Sequence, residues 1–466
     1  MSNVPIIQGV SVSEPYQSSQ VPYHAASSDY AAAESTHLRP TPNHQFQDVL
    51  WAVAFYVHLF IVVFMIFAGL QSSEGINSGA YGGIVFTVSV TGVTAVGFSM
   101  AALSFMMKNA ESLVQTALYF SVASSLAVGI VGFMAGSMLM GVLGLVSFAI
   151  GICYARLVWS RIPFAAVNLK TALTAVQQNL GLTGISFVFT GLAFVWTLLW
   201  FLGLGNYLKG ENVAMIFFLF LSYYWVHQVL QNTMHVTTAG TVATWWFVPD
   251  EATSWFSQAQ RDSLYRALTS SFGSICFGSF LVAIVQALRA LEQYTRDERD
   301  YQFLTCIIQC ILACIESFIE YINRWAYVYI GMYGFSYLEA GKNVVELFQN
   351  KGWTVVITDD LAANVLSLIA LSIGLASGIV GLVLGYMSPN MFVSLGYEEA
   401  HGPAFFVGLL VGFLFASVIL SVVGSAINTV IVCYAEDPAA FQANHPQLAT
   451  AMREAWIQAW PGISMV

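Results

Sequence analysis

The feature that most constrains this chain is its succession of long apolar runs. A hydrocarbon layer of about 30 Å takes about 20 apolar residues of helix to cross. Runs of that kind occur at 49–70, 83–106, 113–136, 137–155, 182–205, 212–247, 264–290, 302–334, 361–387 and 403–434. Lipid offers the backbone no hydrogen-bond partner, so a spanning segment must be a helix or part of a closed barrel. The reading is therefore all-α: a polytopic integral membrane protein with about ten transmembrane helices. Composition agrees, with 57% hydrophobic and 9% charged residues against about 25% charged in soluble domains.

Three regions follow. Residues 1–48 are polar and lack the apolar stretch of a signal peptide, which reads as a disordered cytosolic tail. Residues 49–434 form the membrane domain, and 435–466 a cytosolic C-terminal tail. An even number of spans puts both termini on one side, and the basic residues of the short loops choose the cytosol. Lys108, Arg156, Arg161, Lys170, Arg261, Lys342 and Lys351 then fall inside, whereas loops 71–82 and 388–402 contain no Lys or Arg. The segment 289–301, with Arg289, Arg296 and Arg299, disagrees and implies either that the seventh or eighth segment is broken or re-entrant or that the span count is off by one there. Stretches 162–180 and 336–353 have helical apolar spacing with a polar face, as one or two interfacial amphipathic helices would.

Several function classes are excluded or disfavoured. A net charge of −10 provides no basic stripe for nucleic acid. HExxH, GxSxG and P-loop motifs are absent, so no enzyme and no cofactor is expected. His227 and His235 are eight apart on different helix faces, which argues against a shared metal. Cys306, Cys310 and Cys314 share one face, for packing or acylation rather than a disulfide framework.

Polar groups inside the apolar runs carry the functional signal. In YWVHQVLQNTMHVTTAGTVATWW, 224–246, a turn of 100° per residue brings Trp225, Gln228, Asn232, His235 and Ala239 within about 80°. His227 and Gln231 are placed on nearly the opposite side. The stripe ends at Thr237, Thr238 and Gly240, where propensity drops and a bend or break is expected. It reads either as the wall of a substrate path or as a dry set of interhelical hydrogen bonds. On 305–334, Gln309, Glu316, Glu320, Asn323 and Tyr327 share a face. Glu320 has Arg324 four residues on, a structural ion pair. Glu316 lacks a partner on its own helix and would take a cation, a proton or an arginine from elsewhere. Trp196, Trp200, Tyr223, Tyr224, Trp225, Trp325, Tyr327 and Tyr329 lie on the same spans, a supply of aromatic faces that with a carboxylate suits a quaternary ammonium. The last span aligns Ser417, Ser421, Gly424, Ser425 and Asn428, for packing, with Asn428 as a candidate pore amide.

The segments QNTMHVTTAGTVATWW, RALTSSFGSICFGSFLVAIVQALRALEQY, CIESFIEYINRWAYVYIGMYGFSYLEAGKNVVELF and INTVIVCYAEDP, in that order, resemble the choline transporter-like family, in particular its fungal and protist branch. The resemblance implies a ten-helix carrier in the plasma membrane with cytosolic termini, moving choline or a related small organic cation by alternating access. It matches Val236, Thr237, Ala239 and Gly240, then Glu316, Asn323, Arg324, Ala326 and Tyr327, then Glu436 and Asp437. The expected substrate-binding set is Trp225, Gln228, Asn232, His235, Glu316, Asn323 and Tyr327. The partners are a small organic cation and the lipid bilayer, with oligomeric state left open. The alternatives are a carrier or channel for another small molecule or lipid-related amine, and a non-transporting membrane scaffold.

Overall fold

The apolar runs become helices, because in lipid only intrahelical hydrogen bonds satisfy their backbone. A computed structural model describes residues 42–71, 82–204, 213–295, 302–350, 361–391 and 399–461. In chain order the helices are α1 (Val49–Gln71), α2 (Gly82–Met134), α3 (Met138–Val158), α4 (Ile162–Gln178), α5 (Gly181–Leu204), α6 (Val213–Phe247) and α7 (Gln258–Leu268). They continue with α8 (Phe272–Thr295), α9 (Gln302–Tyr333), α10 (Tyr337–Asn350), α11 (Leu361–Met387), α12 (His401–Glu436), α13 (Pro438–Asn444) and α14 (Pro446–Ala459). Short 3-10 turns fill Trp159–Arg161 and Pro249–Glu251. No strand occurs among the described residues. The expected tail 1–48 lies mostly outside the described residues, as do most of the loop 71–82, residues 392–398 of the loop 388–402 and residues 296–301.

Eight stretches among the described residues are long and apolar enough to cross a membrane. One of them, Val85–Met134, is 50 residues long, about 75 Å if straight and far more than one crossing requires. Its backbone leaves helical dihedrals at Asn109 (φ −126°, ψ 25°), between Lys108 and Glu111, which divides it into two arms. Helix α9, 32 residues long, adds a further apolar run, with Glu316, Glu320 and Arg324 along it. With α2 taken as two arms and α9 added, the described helices match the ten apolar runs.

The seventh run differs from expectation at its start. Residues 264–268 belong to the separate polar helix α7, and the chain turns at Thr269 (φ −125°, ψ −91°) before α8 begins at Phe272. Buried Ser263, Arg266, Ser270 and Ser271 occupy the break. Arg266 Nη2 donates to Ser263 Oγ at 3.2 Å and to the Gly331 carbonyl at 3.4 Å. Asp48 ties this break to two other elements: its Oδ2 accepts from Ser274 Oγ at 2.7 Å and from the Tyr337 amide at 2.8 Å, capping α10 from outside its own segment.

Of the two stretches read as interfacial, α10 keeps an amphipathic form. Tyr337, Ala340, Val344 and Phe348 are buried, while Leu338 and Glu339 face outward. Helix α4 does not lie along a surface. Eleven of its 17 residues are buried, including polar Asn168 and Thr171. The chain beyond the last span covers it: Phe164 meets the rings of Trp456 and Trp460 at 5.4 and 5.1 Å, and Arg161 sits over Trp460 at 5.8 Å. Residues 438–459 thus fold into two helices. Asp437 caps α13 through the Ala439 and Ala440 amides at 3.0 Å, and Asn444 Nδ2 donates to the Trp246 and Phe247 carbonyls at 2.9 Å, closing the end of α6.

Helix α6 runs unbroken from Val213 to Phe247, against the expected bend near Gly240. Its threonines are accommodated because Thr233, Thr237, Thr241 and Thr244 each return a hydroxyl hydrogen bond to the carbonyl four residues earlier. Gly240 serves close approach: a Cβ there would lie 2.6 Å from Ser263 Oγ and 2.9 Å from the Gly331 carbonyl oxygen. Helices α6 and α9 therefore touch through backbone at this level, and the space between them opens toward their other ends.

Candidate functional site

Above that contact lies a cavity of about 450 Å³ bounded by α6, α8, α9, α11 and α12, within the range of about 300–1,000 Å³ common for ligand sites. Helix α6 contributes Gln228, Gln231, Asn232, Met234 and His235, and α8 contributes Val282 and Gln286. Helix α9 contributes Glu320, Asn323, Arg324 and Tyr327. Ala363 and Leu366 of α11 add apolar surface, and α12 closes the wall with Ser421, Gly424, Ser425, Ile427 and Asn428.

The wall is held by a continuous polar network. Ser279 Oγ meets Tyr327 OH at 3.5 Å and accepts from Asn232 Nδ2 at 3.0 Å. Asn232 Nδ2 also reaches Gln228 Oε1 at 3.4 Å, and Gln228 Nε2 donates to Gln286 Oε1 at 3.3 Å. Gln286 Nε2 then donates to Glu316 Oε1 at 3.0 Å, and Glu316 forms an ion pair with Arg289. Gln228 and Gln286 are each fixed in orientation, with the nitrogen on an acceptor and the oxygen on a donor.

Asn323 is fixed from behind. Its Nδ2 donates to the Gly278 carbonyl at 3.1 Å, and Tyr337 OH of α10 donates to its Oδ1 at 2.5 Å. Burial pushes the Tyr337 phenol up to about 12, which keeps it a neutral donor. His235 bridges α9 and α12. Its Nε2 is 3.2 Å from the Arg324 carbonyl, so the proton belongs on Nε2, and Nδ1 accepts from Ser425 Oγ at 2.7 Å. Gln231 and Asn428 face the cavity with no side-chain hydrogen bond among the described residues.

The structure brings together Gln228, Asn232, His235, Asn323 and Tyr327, and adds Glu320 and Arg324, which the sequence assigns to a structural ion pair. Trp225 and Glu316 stand apart from the wall. Trp225 is buried, its indole nitrogen donating to the Cys276 carbonyl at 3.1 Å and its ring against Phe55, His58 and Phe280. Glu316 finds the arginine from elsewhere, Arg289 of α8, which also gives one of the three basic residues of segment 289–301 a partner. Gln231 is not opposite the stripe. At 100° per residue it lies about 40° from His235, and the cavity reaches around α6 to include it.

An aromatic cage does not form here. Trp200 donates to the Leu219 carbonyl at 3.1 Å, Trp325 packs on Phe348 at 5.2 Å, and Tyr329 donates to Glu436. Tyr327 and His235, with ring centroids 6.0 Å apart, are the aromatic rings of the wall among its described lining residues. Three contributors escaped the helical-face reasoning. Gln286 carries a signal, an amide inside the apolar run SFLVAIVQAL; Ser279 and Tyr337 carry none, since serine is ordinary in membrane helices and Tyr337 lies outside the spans.

Long apolar helices surrounding a chamber walled by amides, hydroxyls, a carboxylate and a guanidinium define a multi-pass membrane protein with a solute-sized interior site. The sequence profile of the family described as plasma-membrane choline transporter matches residues 142–439. The chain belongs to that family of membrane transporters. It is 32% identical over 351 residues to Protein PNS1 of Gibberella zeae, covering 69% of this chain and 63% of that protein. It is 26% identical over 384 residues to a CTL-like protein of Dictyostelium discoideum, covering 80% of this chain and 67% of that protein. A Protein PNS1 of Mycosarcoma maydis is 29% identical over 265 residues, 54% of this chain and 48% of the relative. The chain thus spans between about half and two thirds of the length of these relatives.

Proposed function

We propose that the chain carries choline or a closely related small organic cation across the plasma membrane by alternating access, with both termini in the cytosol. One observation supports this most: Glu320, an exposed side chain, lines a half-open cavity of about 450 Å³ whose other walls are hydrogen-bonding or apolar and neutral apart from Arg324. A carboxylate at such a site stabilises a bound cation by charge, and the hydroxyls and amides of Tyr327, Asn323, Gln228 and Asn232 receive the polar end of an amino alcohol. Glu320 takes the counter-ion role, Glu316 holds α8 to α9 through Arg289, and Trp225 positions α8 through Cys276. His235 couples α6 to α12 and so transmits any change in the spacing of these helices. An inside-negative potential favours cation entry by about 2.3 kcal/mol per 100 mV, so net uptake requires no second ion.

The test is uptake of labelled choline into liposomes holding the purified protein. Saturable uptake is expected, rising with an inside-negative potential and lost in Glu320→Gln. Absence of saturable uptake by correctly folded protein refutes the proposal.

A further inference from the structure

A second cavity of about 350 Å³ adjoins the first, and Gln231, Met234 and Ser421 line both. Its remaining wall comes from α5, α6 and α12, with Phe189, Ala193, Leu230, Leu414 and Val418 as its carbon surface. Apart from Gln231 at the junction, its polar side chains are already engaged. Ser186 donates to the Thr183 carbonyl at 2.8 Å, Thr190 to Ser186 at 2.9 Å, Ser417 to Phe413 at 2.8 Å and Ser421 to Val418 at 2.7 Å. His227 has Nδ1 at 2.8 Å from the Tyr223 carbonyl and Nε2 at 3.0 Å from Thr197 Oγ1. What the second chamber offers a ligand is therefore mostly carbon. The first chamber, in contrast, offers a carboxylate and the amides of Gln231 and Asn428.

We propose that the two chambers together bind an amphiphilic organic cation, its ammonium head beside Glu320 and a short alkyl tail in the second chamber, with Gln231 and Met234 at the junction. This rests on the reading of the first chamber as a cation site. A bare choline fills only the first chamber; a lipid-derived amine with several methylenes fills both. Each methylene moved from water into the apolar chamber tightens binding by up to about four-fold until the chamber is full.

The test measures direct binding of choline and of n-alkyl-trimethylammonium ions, from methyl to octyl, to the full chain in nanodiscs, with empty nanodiscs subtracted. Affinity is expected to climb with tail length by up to about four-fold per methylene and then level off. Ala193→Leu should erase the climb and leave choline binding unchanged, and Leu414→Ala should move the plateau to longer tails. Glu320→Gln should weaken every ligand. A flat series, or a climb indifferent to both Ala193→Leu and Leu414→Ala, overturns the two-chamber proposal while choline binding still upholds the first site. Failure of choline to bind, with alkyl ions binding and responding to Ala193→Leu, overturns the choline reading and upholds the second chamber.

Discussion

The contrast between the two glutamates of α9 can be worked through quantitatively. Glu316 is 12% exposed and Arg289 35% exposed in their ion pair, and Gln286 adds a hydrogen bond of 3.0 Å to the same carboxylate. Arg289 Nε is buried and has no hydrogen bond, so the guanidinium depends on Glu316. Removing one member of a fully buried pair costs about 3–5 kcal/mol, and an exposed pair is worth about 1 kcal/mol or less. Partial exposure of Arg289 puts Glu316→Gln between these limits, a loss of about 1–3 kcal/mol. Arg289→Met strands the better buried carboxylate and should cost about as much or more. The double variant leaves no unpaired charge, so it should recover about 1–2 kcal/mol of the summed losses. Reversible unfolding in mixed micelles of fixed composition measures the cycle. Strictly additive losses, or a Glu316→Gln variant that is fully stable yet unable to bind choline, would refute the assignment of Glu316 to structure.

Other expectations follow from the same contacts. Gly240→Ala puts a methyl 2.6 Å from Ser263 Oγ and 2.9 Å from the Gly331 carbonyl oxygen, and should destabilise by about 1–3 kcal/mol in the same assay. Asp48→Ala removes acceptors from Ser274 and Tyr337; a loss of about 2 kcal/mol is expected, with faster hydrogen exchange at the start of α10. His445 stacks on Trp245 at 3.9 Å and its Nε2 lies 3.0 Å from the Trp245 carbonyl, and burial holds its imidazole below the usual range. Burial favours neutral His445, so its contribution is complete above the ordinary value of about 6.5 and is lost as pH falls below it. Hydrogen exchange across 438–459 should therefore quicken between pH 7.5 and 5, and His445→Phe should flatten that dependence.

Helical periodicity groups much of the cavity's polar lining because it needs only local geometry. The faces carrying Gln228, Asn232 and His235 and carrying Asn323 and Tyr327 do meet across one cavity. What a helical wheel lacks is depth along the axis and the identity of the neighbour. Trp225 belongs to the same stripe as Gln228, yet one turn earlier the facing atom is the Cys276 carbonyl rather than open space. Glu316 shares a face with Glu320, yet it lies where α8 presents Arg289. The number of aromatic residues on a span does not distinguish a ring that faces a chamber from one that fills a helix contact. The threonines after His235 resembled a helix breaker, but back-bonding to their own helix satisfies them and α6 continues. In the fold, the apolar runs gave nearly all boundaries; the burial of α4 was hidden because its cover, Trp456 and Trp460, comes from nearly 300 residues downstream.

Asn428 lines the chamber between α6, α9 and α12 and offers direct access to the cation site proposed there. With the native cysteines replaced, Asn428→Cys is to be labelled by a small cationic thiol reagent in liposomes holding the purified protein, with and without choline. Labelling that choline slows in a saturable way is expected, with no protection by choline once Glu320→Gln is added. Labelling indifferent to choline, in a protein that still takes choline up, would contradict that site.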